Sequence, residues 1–164
     1  MKINHLIMGC LLVFTSVTFA STQTVTTYKQ LLNTLQQGKG VKAIVYLDQC
    51  TPRTKMQNNM DEENTFTGFN IDIFSHYKVK INDQQERFAL ATSKTILTEH
   101  RTFGPVYAYE RLRLFDDNSA EYHTAFYDPK TYELKGSMDY SCSLNNNSIV
   151  LYMNHALCNS STTC

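Results

Sequence analysis

The sequence predicts a mainly β fold of the α+β kind: an antiparallel meander curled into a barrel-like or sandwich sheet, with one N-terminal α-helix. Three observations predict it. The 164 residues include Tyr 10 and Phe 9, with abundant Thr, and these residue types favour strands. From residue 69 onward, apolar and polar positions alternate with period two, cut at short intervals by Asn, Asp, Gly and Pro. Helical spacing of leucines occurs in one stretch near the N-terminus.

The chain begins with what reads as a cleavable export signal, residues 1–20. Lys2 and His5 make a basic start, an apolar run follows over 6–19, and Thr18-Phe19-Ala20 puts small residues where signal peptidase requires them. The run is about 14 residues, against the roughly 20 that a span needs, so no stable membrane anchor is expected after cleavage. Ile7-Met8-Gly9-Cys10 loosely resembles a lipobox, but the apolar stretch continues well past Cys10. The mature chain of about 144 residues then suggests a single β-rich domain over 21–157, followed by a Ser/Thr/Cys tail over 158–164. That length suffices for a core.

Thr27-x-x-Gln30 has the form of a capping box, in which the two side chains satisfy free N–H groups at a helix start. Leu31, Leu32 and Leu35 form one stripe, and Gly38 supplies a left-handed stop, so a helix is predicted over 28–37. So short a helix is stable only when packed. Residues 41–47 read as a strand ending at Cys50, and 51–65 as a long polar loop. The alternation over 69–81 predicts one half-buried strand. A turn at 82–85 leads to a second strand over 87–98, with a bend near Ser93. Phe103-Gly104-Pro105 makes a corner. Strands then follow over 106–115, 120–127, 132–142 and 149–153, joined by Asp116-Asp117-Asn118-Ser119, Asp128-Pro129-Lys130-Thr131 and Asn145-Asn146-Asn147. So many neighbouring strands tend to curl on themselves, and one helix would cover an open end.

Export changes the meaning of the cysteines. Removing Cys10 leaves Cys50, Cys142, Cys158 and Cys164, an even set that reads as two disulfides in an oxidising compartment. Three pairings exist for four cysteines. Cys50 and Cys142 end an early and a late strand, and Cys158 and Cys164 share the tail, so the pairing expected is Cys50–Cys142 with Cys158–Cys164. C-x-x-C is absent, which removes thioredoxin-like chemistry and the close ligand pairs of a zinc site.

Lys+Arg 15 against Asp+Glu 15 gives no basic excess for nucleic acid or an anionic membrane. The sequence lacks G-x-S-x-G and a P-loop, and Asp116-x-Asn118 is only a fragment of a calcium loop. No metal or cofactor is therefore expected. The predicted inner face carries Val106, Ala108, Glu110, Leu112 and Leu114, then Tyr122, Thr124 and Phe126, then Tyr132, Leu134, Gly136, Met138 and Tyr140. Glu110 is the outlier, because a buried carboxylate needs a partner, and perturbed carboxylates mark sites more often than chance. A Tyr hydroxyl or an Arg bonding it to hold the sheet is the commoner case. The opposite face of that strand reads Tyr107, Tyr109, Arg111 and Arg113, residue types enriched at recognition hot spots. An ordinary solvated face, paired across to Glu133, Lys135 and Asp139, is the plainer reading. The histidines, His76, His100, His123 and His155, lack metal-motif spacing.

The order of export signal, YKQLLNTLQQGK, GVKAIVYLDQC and TP resembles the start of the VirK family of small exported bacterial proteins. The positions that carry the resemblance are Leu31, Leu32, Leu35, Gly38, Lys39, Val41, Asp48 and Cys50. The resemblance implies a periplasmic or secreted protein with a link to virulence or host association, and it brings no catalytic residues with it. Together these readings point to a non-enzymatic binding module with a protein or glycan partner. The alternatives are a barrel holding a small apolar, lipid-like ligand, and an enzyme with a site around Glu110, His123 or the loop 51–65.

Overall fold

The computed structural model describes residues 23–53, 65–82 and 85–153. The export segment, most of the 51–65 loop, His155, and Cys158 with Cys164 lie outside the described residues.

The chain opens with β1 (Thr24–Val25) and α1 (Tyr28–Gln36). Thr27 caps the helix, its hydroxyl accepting from the Gln30 amide at 3.2 Å. Gln30 Oε1 reaches back one residue further than a standard capping box and accepts from Thr26 N at 3.0 Å. Gly38 takes φ +74, and the amides of Gly38 and Lys39 close onto Leu35 and Thr34 in a Schellman ending. Tyr28, Leu31, Thr34 and Leu35 are buried, and Tyr28 N donates to Asn118 Oδ1 at 2.8 Å, which ties the helix to a turn of the large sheet. Burial and the charge of Asp116 push the Tyr28 phenol up to about 12.

The strands are β2 (Val41–Tyr46), β3 (Thr51–Pro52), β4 (Phe66–Ile71), β5 (Ser75–Asn82) and β6 (Gln85–His100), then β7 (Gly104–Phe115), β8 (Ser119–Tyr127), β9 (Leu134–Ser143) and β10 (Ile149–Met153). They form two antiparallel sheets, in orders β1-β10-β2-β4 and β3-β9-β8-β7-β6-β5. One core joins them: Val41, Val45, Ile71, Ile149 and Leu151 from the small sheet pack with Leu90, Leu112, Leu114, Tyr122 and Tyr140 from the large one. Of the barrel-like and sandwich arrangements expected, the barrel-like one is corrected: among the described residues the strands form two sheets, and neither closes on itself.

The cause lies in the segment expected to be one strand over 69–81. Phe69 and Ile71 are 2% and 0% exposed, but Ile73, next in that phase, is 82% exposed. The chain bends at residues 72–74, where Asp72 Oδ1 accepts from Ile73 N and Thr92 Oγ1 donates to Ile73 O. β4 therefore pairs with β2, and β5 with β6 in the other sheet. β5 is an exposed edge rather than a half-buried strand. A second crossing follows β2: a 3₁₀ turn (Leu47–Gln49) leads to β3, so the loop expected from residue 51 begins with two residues paired to β9. The Cys50–Cys142 disulfide, spanning 92 residues, pins that crossing to β9, and this half of the expected pairing is present.

A third departure concerns β9. Its inner face was expected to include Tyr132 and Leu134. A bulge shifts the register between Phe126 and Tyr127, so that Phe126 faces Gly136 but Tyr127 faces Leu134. One extra residue transfers a side chain to the other face. Met138 and Tyr140 remain buried, while Tyr132 and Leu134 are 70% and 54% exposed.

Candidate functional site

Glu110 lies inward on β7 and is buried. Its carboxylate is partnered by Lys94, directly across on β6, with Nζ–Oε2 3.2 Å, and it accepts from Thr67 Oγ1 at 2.7 Å. Lys94 Nζ also donates to Gly68 O at 2.7 Å and lies 4.8 Å from the Phe69 ring centre. Burial and the neighbouring Glu110 charge raise the Tyr122 phenol, which bonds the same carboxylate. The cluster joins β6 and β7 of the large sheet to β4 of the small one. Its cation is a Lys, where sequence reasoning considered an Arg. Lys94 lies on the stretch of β6 beyond its pairing with β5, and an inward Lys there also discourages strand addition.

Strand alternation separates the two residues considered for an enzyme site. Glu110 stands opposite Thr124 on the inner face, whereas His123 stands opposite Arg111 on the outer one. The two do not share a site.

The outer face of the large sheet is built in rows set by register. One row reads Leu97, Tyr107, Tyr127, Leu134; the next reads Thr95, Tyr109, Ala125, Ser137; the next reads Ser93, Arg111, His123, Asp139. Tyr107, Tyr109, Tyr127, Tyr132 and Thr95 line a surface groove of about 410 Å³. The Tyr132 ring lies 5° from parallel to that of Tyr107, with centroids 6.0 Å apart. The Tyr132 backbone holds φ 57, a left-handed conformation costly for a bulky side chain. The Asp128 turn sets it there: Asp128 Oδ1 accepts from the amides of Lys130 and Thr131, and Tyr132 N donates to Asp128 O. Those two amide bonds, more than the nearby Lys135, hold the Asp128 carboxyl below its ordinary value.

Beyond the groove the face becomes ionic. Arg113 and Arg53 both bind Glu121, at 3.4 and 2.8 Å, and Arg87 binds Asp117 at 3.3 Å while stacking on Phe115. Burial pushes Asp117 up, but hydrogen bonds from Ser119 and the Arg87 charge outweigh it and leave the group lowered. His123 Nδ1 lies 2.9 Å from Asp139 Oδ1, its partner across the strands. Arg111 has no acidic partner among the described residues, and it lines a smaller depression with Ile73, Phe74, Ser75 and Ser93. The structure thus gathers Tyr107, Tyr109 and Arg111 on one surface, makes Arg113 part of an ion pair, and puts Glu110 on the other side. Sequence reasoning missed Thr95 and Tyr127; alternation through β6 and β8 would have found them. No cluster of metal-ligating side chains occurs among the described residues.

These features define a small two-sheet antiparallel domain, helix-covered and disulfide-linked, with an aromatic and cationic outer face. The VirK protein family model matches residues 24–132, and the chain belongs to the VirK family. The crystal structure of lpg1832, a VirK family protein from Legionella pneumophila, matches with TM-score 0.60 at 16% identity, covering 78% of this chain and 97% of that one. At that identity the likeness is one of fold. A comparison with curated proteins finds no match.

Proposed function

We propose that this chain is an exported, non-enzymatic binding module, periplasmic or secreted, which recognises a protein or glycan partner through the outer face of its large sheet. The observation that carries the reading is the tyrosine groove lying one row from Arg111, a cation without an acidic partner among the described residues. Tyr and Arg dominate recognition energetics because they offer large, stiff surfaces and forked donors. The lipid-like alternative loses its barrel, since the sheets are open and Phe69, Tyr122 and Tyr140 pack between them. The disulfide fits an oxidising compartment, and no helix among the described residues is long and apolar enough to cross a membrane. The link to virulence or host association is one of family name.

Two measurements test the proposal. Fractionation of bacteria making the full chain should recover the protein outside the cytoplasm with Ser21 as its first residue; a cytoplasmic chain starting at Met1 refutes export. Partners retained on an array of glycans and bacterial surface proteins should be lost by Tyr109→Ala, with an unchanged melting curve. A partner kept by that variant overturns the surface assignment.

A further inference from the structure

We infer that the groove takes an acidic oligosaccharide, stacked on the tyrosines with a carboxylate on Arg111. The inference rests on the outer-face reading above and names its ligand. Each groove-lining side chain carries a hydroxyl, and no described residue makes a side-chain hydrogen bond to any of the four tyrosines. Such a surface offers flat apolar faces and free polar edges together. A sugar ring has the matching form: C–H groups on its faces and hydroxyls around its rim. An acyl chain would leave the phenols unmatched.

The groove is lined at Thr95, and the depression lined by Arg111 lies further along β6, at Ser93 and Ala91. Strands advance about 3.3 Å per residue, so the distance from the Tyr107 row to the Arg111 row is roughly 13 Å. A ligand reaching both must be extended, of about two to three sugar units. The other arginines of this face already have acidic partners: Arg53 and Arg113 share Glu121, and Arg87 pairs with Asp117. Arg111 is therefore the cation positioned to accept a carboxylate bidentately. The left-handed Tyr132 is a strained residue spent on a ring that is 70% exposed, which fits a surface shaped for contact rather than for stability.

The test uses the mature chain, trigalacturonate and the neutral trisaccharide of the same linkage. With Trp 0 and Tyr 10 in the sequence, tyrosine fluorescence includes the four groove residues, and the Tyr109→Ala variant assigns the part that the ligand changes. Trigalacturonate should bind about tenfold more tightly than the neutral sugar at low salt, the worth of one charge-assisted hydrogen bond. Arg111→Gln should remove that preference while keeping neutral-sugar binding, and Tyr109→Ala should abolish both. A wild-type chain that binds the two sugars equally, or neither, overturns the inference, as does an acidic preference that survives Arg111→Gln. Saturable binding of an acidic peptide at the same residues, with no sugar binding, would sink the ligand class yet leave the outer-face reading standing. Loss of all partners from the array by Tyr109→Ala, without sugar binding, has the same meaning.

Discussion

Lys94→Met should be among the most damaging single changes in this chain, although Lys94 sits on the part of β6 that extends past its pairing with β5. The side chain is 29% exposed and its partner Glu110 only 10%, at 3.2 Å. Methionine preserves the stem and removes the charge. Glu110 would keep the Thr67 hydroxyl but face no cation, and Gly68 O would lose its 2.7 Å donor. Breaking a fully buried pair on one side costs roughly 3–5 kcal/mol, because a charge is left unpaired. Partial exposure of Lys94 lets water compensate, which brings the figure to about 2–3 kcal/mol. In a domain of this size that lowers Tm by roughly 8–12 °C. The cluster clasps β4 to β6, so the loss should appear first as faster amide exchange in β4. The assay is urea unfolding of wild type, Lys94→Met, Glu110→Gln and the double variant. The double variant should recover more than 1 kcal/mol over Lys94→Met, roughly, since it carries no orphaned charge. A Lys94→Met chain within about 0.5 kcal/mol of wild type, or a double variant no better than the single, would refute the clasp.

Three further outcomes follow from the same structure. Replacing Cys50 and Cys142 with serine frees a loop of 92 residues and should cost about 2–5 kcal/mol, close to 4.6 by chain entropy, read as a lower urea midpoint that reductant no longer changes. His100 packs on Phe103 and Phe126, its Nδ1 accepts from the amides of Thr102 and Phe103, and burial lowers its pKa. A lowered folded value means the unfolded chain takes the proton first, so this contribution is complete above about pH 6.5 and declines as pH falls, by at most about 1.4 kcal/mol per pH unit. His100→Phe should flatten that slope between pH 7.5 and 5.5, roughly the window set by the ordinary histidine value. Tyr132→Asn, better suited to φ 57, should hold or raise stability by up to about 1 kcal/mol while weakening ligand binding; a marked fall in Tm would show that the ring stabilises the turn.

Much of the fold was legible because local chemistry and global structure agreed. The Thr27 cap, the Gly38 stop and the alternation through 106–127 each act within a few residues, and each appears where the residues put it. Cys50 and Cys142 could be matched because each reads as closing a strand, although Cys50 follows the 3₁₀ turn after β2. The errors share one cause. Ile73 and Leu134 both look like inward positions by period-two counting. A bend at 72–74 and a bulge beside Tyr127 reset the phase, and neither has a strong local signal. Glu110 was recognised as an oddity, but its partner lies on the neighbouring strand and its hydroxyl donor in the other sheet. Such partners are set by register, which one strand read alone does not contain.

The sequence by itself determined a β-rich, helix-started chain with a charged residue in its core and a Tyr-Arg strand face, because those properties depend on spacing along a few residues. Only the tertiary structure decided that the strands split into two sheets, that Lys94 neutralises Glu110, and that Tyr132 stacks on Tyr107 beside Arg111, which has no acidic partner among the described residues. Those outcomes depend on which strands meet and in what register. The Asp128 turn then decides whether Tyr132 fills the core or lines a groove, and the one-residue bulge beside it does the same for Leu134.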